Sequence, residues 1–367
     1  MSRAGRWLRR RVLAASVVTL AVCVVVAVGV GLAVISYAGQ ERAGQEHADQ
    51  GNAAHEDAAG AARLQPTPGP AGQGAAGPPT VVGDAPASRL VEIRRDADEA
   101  LRYVRAVWDG PWADRVVVEV PAGGAGFRAA SGRAGADGEA AVAVLPREAR
   151  GPGASAAARA LSGDGSGDAT DGGTASPGCP PGGCAPGVSS GGTDSGIGGD
   201  GPGVGRVIVN PEVYDRLSVE GRQVVLRHEF THLASADVTG AGTPTWLVEG
   251  LAETVGHAGV RLAVARAATE LAAEVRAGRL PDALPDDAAF SATDGSVPVR
   301  YQESWLACRL IADRVGLDGM IRFYRQVGTD GGDPRTRLAD ALRAVLGVTE
   351  ADFVTQWRSY LGELLHP

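Results

Sequence analysis

Residues 228–232 read His228-Glu229-Phe230-Thr231-His232, and Pro244-Thr245-Trp246-Leu247-Val248-Glu249-Gly250-Leu251-Ala252-Glu253 follows shortly after. These two stretches constrain the fold more than anything else in the chain. On a helix, residues four apart stand one above the other on the same face. His228 and His232 therefore share a face, and Glu249 and Glu253 share another on a second helix that opens after Pro244. An exposed acidic stripe is the bland alternative for the two glutamates, and a surface helix with two solvated histidines is the bland alternative for the first motif. Against both, the acids are set among Leu247, Val248, Gly250, Leu251 and Ala252, and a solvated face is seldom so apolar. The fold has to bring two polar helix faces together inside an apolar shell.

The residue types suit a zinc ion. Two imidazoles at i and i+4 can aim their ring nitrogens at one Zn²⁺ at roughly 2.0–2.1 Å. Glu229 is about 100° further round the helix, beside the metal rather than on it, where it can take a proton from an activated water. A carboxylate behind a ligating histidine can hold its other ring nitrogen and fix the tautomer. Ser218 is placed to cap the first helix, and no proline interrupts residues 213–233. A closed structural zinc site is disfavoured, because such sites are usually thiolate-rich with four protein ligands.

His-Glu-x-x-His followed by Trp-Leu-x-Glu-Gly-x-Ala-Glu resembles the gluzincin branch of the zinc metallopeptidases, the thermolysin-like and aminopeptidase-like enzymes also described as peptidase MA-like. The resemblance covers roughly residues 206–330 and is carried by the two motifs. It implies His228, His232 and Glu249 as zinc ligands, Glu229 as catalytic acid/base and Glu253 as the partner behind a ligand. The third histidine of the metzincin branch is missing at its usual spacing. His257 is a rival third ligand that would leave Glu249 idle. An oxyanion donor is also needed. Tyr301 is the candidate, with His257 behind it, although an aromatic core role for Tyr301 is the simpler reading.

The N-terminus sets the compartment. Arg3, Arg6, Arg9, Arg10 and Arg11 precede an uncharged apolar run from Val12 to Tyr37. At about 1.5 Å per residue this run reaches roughly 39 Å, enough to cross a hydrocarbon core of about 30 Å. The expected order is a cytoplasmic basic tail (1–11), a transmembrane helix (12–37), a flexible Ala/Gly/Gln/Pro stalk (38–88) and an extracellular catalytic domain (89–366) at the plasma membrane. A cleaved signal peptide is the competing reading, with an apolar region longer than is usual. All five of those arginines precede the domain, so the remainder is more acidic than the whole chain at −8. That charge argues against nucleic acid as a partner. The partners expected are a peptide or protein substrate and the membrane.

Apolar spacing predicts a helix over 89–108 and strands over 116–120, 140–145 and 206–210. The strand at 206–210, just ahead of the zinc helix, lies where the resembled fold has its substrate-binding edge or near it. Helices follow at 257–277, 301–315, 318–327, 334–346 and 350–365, with a loop at 278–287. Residues 150–204 are mostly Gly, Ala, Ser and Asp and read as a disordered insertion. Cys179 and Cys184 within it could close a small disulfide ring, and Cys308 reads as a small buried residue. The fold class expected is α+β: a zincin-like metallopeptidase domain with a small N-terminal sheet part and a helical C-terminal part, preceded by one transmembrane helix. Two functions remain: a membrane-anchored Zn²⁺-dependent peptidase, or a catalytically silent binding or scaffold protein of the same fold.

Overall fold

The computed structural model describes residues 77–110, 112–132, 138–144 and 203–366. The expected basic tail, transmembrane helix and most of the stalk lie outside these residues. So do Cys179, Cys184 and nearly all of the expected insertion. Among the described residues, no helix is long and apolar enough to cross a membrane.

The fold is mixed α and β, mostly helical, with one small mixed sheet. In chain order the elements are β1 (Thr80–Gly83), α1 (Ala87–Val107), β2 (Arg115–Val120), α2 (Gly124–Ser131), β3 (Ala141–Val144) and β4 (Val204–Val209). Then come α3 (Pro211–Tyr214), α4 (Val219–Ser235), α5 (Thr245–His257), α6 (Val264–Ala267), α7 (Thr269–Arg276), α8 (Val297–Gly328), α9 (Pro334–Ala341) and α10 (Glu350–Leu365).

The sheet has the order β1-β2-β4-β3. β1, β2 and β4 run parallel, and β3 pairs antiparallel with β4 at the edge. Alternation sorts the side chains. Val116, Val118, Val120, Val207 and Val209 join the main core under the helices, while Val142 and Ile208 on the other face pack against Phe127 of α2. α4 lies along β3 and β4, with α1 beside it.

α5 is the central helix, packed between α4 and α8. Glycines permit this on both sides. A Cβ at Gly256 would stand 3.0 Å from the Val224 carbonyl oxygen of α4, and one at Gly250 would stand 2.6 Å from Cys308 Sγ of α8. Thr254 ties the layers further, donating to the Gly250 carbonyl at 2.7 Å and reaching the Trp305 carbonyl at 3.5 Å.

Several sequence expectations are corrected. The stalk does not run to residue 88: Thr80–Gly83 is a strand and α1 begins at Ala87. The β-branched pair Val81-Val82 gains a partner strand in β2, which the Gly/Pro-rich surroundings hide from a reading by composition. The insertion likewise ends before residue 204, since Val204 opens β4. The helix expected over 257–277 is divided. α5 ends at His257, Gly259 takes a left-handed φ of 75°, and α6 and α7 follow separately. The helices expected at 301–315 and 318–327 are two limbs of α8, broken at Gly316 with φ 74° and ψ 168°. The expected helix at 334–346 closes in a π turn over Leu342–Leu346, stopped by Gly347. α2 was not anticipated.

Candidate metal centre

The site is built where α4 meets α5. Ser218 caps α4, its Oγ accepting from the Gly221 N–H at 3.1 Å. The cap starts the helix so that its third and fourth turns carry His228 and His232 inward, where both are buried. α5 opens after Pro244, and its first turn is anchored by the Thr245 N–H donating to Asp287 at 2.8 Å. Its far end is held from α4: Arg227 donates to the Ala258 carbonyl at 3.0 Å, while its guanidinium stacks over the Tyr103 ring of α1 at 4.0 Å. A cation there also complements the negative end of the α5 dipole.

Three donor atoms converge. His228 Nε2 and His232 Nε2 are 2.9 Å apart. Glu249 Oε2 lies 3.5 Å from the first and 3.4 Å from the second. A tetrahedral ion with bonds of roughly 2.0–2.1 Å keeps its donors roughly 3.3 Å apart, so this triangle has the dimensions of one face of such a set. The chemistry of the donors agrees. Two imidazole nitrogens and a carboxylate oxygen, all buried and within 4.8 Å of one another, form a donor set that could hold a metal ion.

The electrostatics are those of an anionic pocket compensated by imidazoles. Burial opposes the Glu249 charge, yet the charge of His232 and hydrogen bonds from both histidines hold its carboxyl well below the usual range. Burial likewise opposes ionisation of Glu253, but the neighbouring His228 and His257 rings bring it down to about 2. His228 is pushed well above its ordinary value: burial works against the charged ring, and Glu249 and Glu253 prevail.

Glu253 stands behind His228, with Oε1 3.4 Å from Nδ1. A proton on Nδ1 leaves the Nε2 lone pair pointing at the donor triangle, the tautomer a ligand needs. Glu229 is buried beside the pair, and its Oε2 accepts from the Ala143 N–H at 2.6 Å. Ala143 lies on β3, so the outward edge of this strand faces the site. The strand expected at 206–210 is β4, which is internal, and the edge beside it is β3.

His257 does not join the converging donors; its Nε2 sits 3.4 Å from Glu253 Oε2. The Tyr301 ring is buried edge-on to Phe290, with centroids 5.4 Å apart, and belongs to the main core.

Two neighbours of the site escaped the sequence reading. Glu139, just ahead of β3, is almost wholly buried. Burial, and then the charges of Glu229 and Glu249, push its carboxyl well above the usual range. An acid leading an apolar alternating run was the only available signal. Tyr324 of α8 donates to or accepts from Thr239 Oγ1 at 2.6 Å. Its phenol is pushed up to about 12, first by burial, which outweighs hydrogen bonds to Thr239 and Ser235, with the Glu249 charge adding to the rise. Helical spacing alone marks Tyr324 as core.

No family model, no curated protein and no solved structure matches the chain.

Proposed function

We propose that the protein is a membrane-anchored, extracytoplasmic zinc-dependent peptidase of the gluzincin type, with a zincin-like catalytic domain. The observation that carries this reading is the triangle of His228, His232 and Glu249, with Glu229 held beside it by the edge of β3. The anchor and compartment rest on the arginines and the apolar run at residues 3–37.

His228, His232 and Glu249 would hold the ion. When bound, Zn²⁺ supplies Lewis acidity, polarising the scissile carbonyl and lowering the pKa of water towards about 7. Glu229 is the general base: its carboxylate takes the proton from the attacking water and passes it to the nitrogen of the departing amine as the C–N bond breaks. The Ala143 N–H fixes one oxygen of that carboxylate. Glu253 orients His228 through Nδ1.

The test is elemental analysis of the purified chain, followed by cleavage of a defined peptide library read by mass spectrometry with and without chelator. One zinc per chain and chelator-sensitive cleavage are expected. Bound zinc without cleavage would favour the silent scaffold; a chain that takes up no zinc would remove the metal centre altogether.

A further inference from the structure

Glu253 is shared by two histidines. Its Oε1 faces His228 Nδ1 and its Oε2 faces His257 Nε2, each at 3.4 Å. The carboxylate is 3 % exposed, so water does not solvate it, and these two rings are its compensation. The torsion that turns a carboxylate about its own axis is broad and twofold. Contact with His228 alone would leave that rotation poorly determined. A second partner on the opposite oxygen fixes it.

His257 is itself fixed. It is the last residue of α5, one turn beyond Glu253 on the same face, at the i, i+4 spacing that brings such side chains together. Its ring stacks on Trp305 of α8, with centroids 4.2 Å apart and planes 24° apart. Trp305 is buried in the main core. A continuous series of contacts thus runs from the α8 core through Trp305, His257 and Glu253 to His228.

We propose that His257 is a positioning residue for the metal centre. It holds Glu253 so that Oε1 stays on His228 Nδ1, and thereby keeps His228 in the tautomer and ring orientation that present Nε2 to the cation. His257 touches neither the donors nor a reacting atom; it acts through Glu253. The inference rests on reading His228, His232 and Glu249 as metal ligands, and it adds a residue that neither motif contains. The magnitude expected is that of other outer-shell partners, whose loss typically weakens metal binding by about 10–100-fold.

The experiment uses the full chain in detergent. Zinc affinity is measured by competition with a fluorescent chelator for the parent, His257→Ala and His257→Gln. The Co²⁺-loaded forms are compared by visible absorption, and the metal-free forms by thermal melting. His257→Ala should bind zinc about 10–100-fold more weakly with altered cobalt bands. His257→Gln, whose amide N–H can still reach Glu253, should recover most of the affinity and the parental spectrum. Equal zinc affinity and identical cobalt bands in parent and His257→Ala would overturn the proposal. So would equal weakening in both variants in step with a lower metal-free melting temperature, since that describes lost packing against Trp305. A parent chain that binds no zinc would instead refute the metal centre itself, and this inference with it.

Discussion

Gly250 lies so close to Ser304 that a side chain of any kind would run into it. A Cβ built on Gly250 would stand 2.6 Å from Cys308 Sγ and closer still to the Ser304 carbonyl oxygen. Gly250 is also the neighbour of Glu249 on α5. The approach of α8 to α5 and the placing of the two glutamates against the histidines of α4 are therefore one packing event. Gly250→Ala should destabilise the metal-free protein by about 1–3 kcal/mol, the usual cost of overpacking a tight core, and should weaken zinc binding by displacing Glu249. Denaturant unfolding checks the first effect and chelator competition the second. An unchanged unfolding midpoint would show that α5 and α8 can separate without cost.

Cys308 is enclosed in the same contact. It is fully buried, and burial pushes its thiol well above the ordinary value. The thiolate is the reactive form. Alkylation of Cys308 in the folded protein should therefore be far slower than in the unfolded chain, and should rise in step with global unfolding along a denaturant series. Labelling followed peptide by peptide in the mass spectrometer isolates this cysteine from the others. Fast alkylation under native conditions would mean that the α5–α8 seam opens locally.

Glu139→Gln should stabilise the metal-free protein, and more so as pH rises. Burial, then Glu229 and Glu249, raise the folded-state pKa of Glu139, so the native state holds this proton more tightly than the unfolded chain. The stability contributed by the proton is fully present below the unfolded value of about 4.3 and is lost as pH climbs towards the raised folded value. A glutamine loses nothing over that range. The difference in melting temperature between variant and parent should be small near pH 5 and widen by pH 8, measured in chelator. A difference that stays flat with pH would show that the native state does not hold this proton more tightly than the unfolded chain.

What the sequence reveals and what it hides follow from the range of the interactions. The pairs His228/His232 and Glu249/Glu253 obey the i, i+4 geometry of single helices, and their apolar neighbours announce that these helices turn polar faces inward. That much is legible from local spacing, whereas the meeting of His228, His232 and Glu249 across two helices is only what the resemblance to gluzincins implies. Ser218 as the cap of α4 is legible for the same reason. The contact between Ala143 and Glu229 is not, because it depends on β3 pairing antiparallel with a strand some sixty residues further on. β1 is missed because four residues amid Gly and Pro carry too little pattern, and only its partner β2 makes them a strand. His257 sits at helical spacing from Glu253, but its ring is claimed by Trp305, a residue of another helix. No local rule predicts that contact.

Glu229 and Glu249 are both buried glutamates of one small site, and their loss should have different consequences. Glu229→Gln keeps the shape and the capacity to accept from the Ala143 N–H, but the amide cannot take a proton from water. The variant should bind one zinc as tightly as the parent and lose roughly 10²–10⁴-fold in kcat/KM, with little change in thermal stability of the zinc-loaded form. Glu249→Ala deletes one of the three converging donors and leaves His228 and His232 without the carboxylate that compensates them. It should be recovered with substoichiometric zinc, and added zinc should raise its melting temperature much less than that of the parent. The pair separates the two roles, since one variant keeps the metal without turnover and the other loses the metal itself. Parental cleavage by Glu229→Gln would assign the base elsewhere, and a full zinc equivalent held tightly by Glu249→Ala would mean that the triangle is not the binding site.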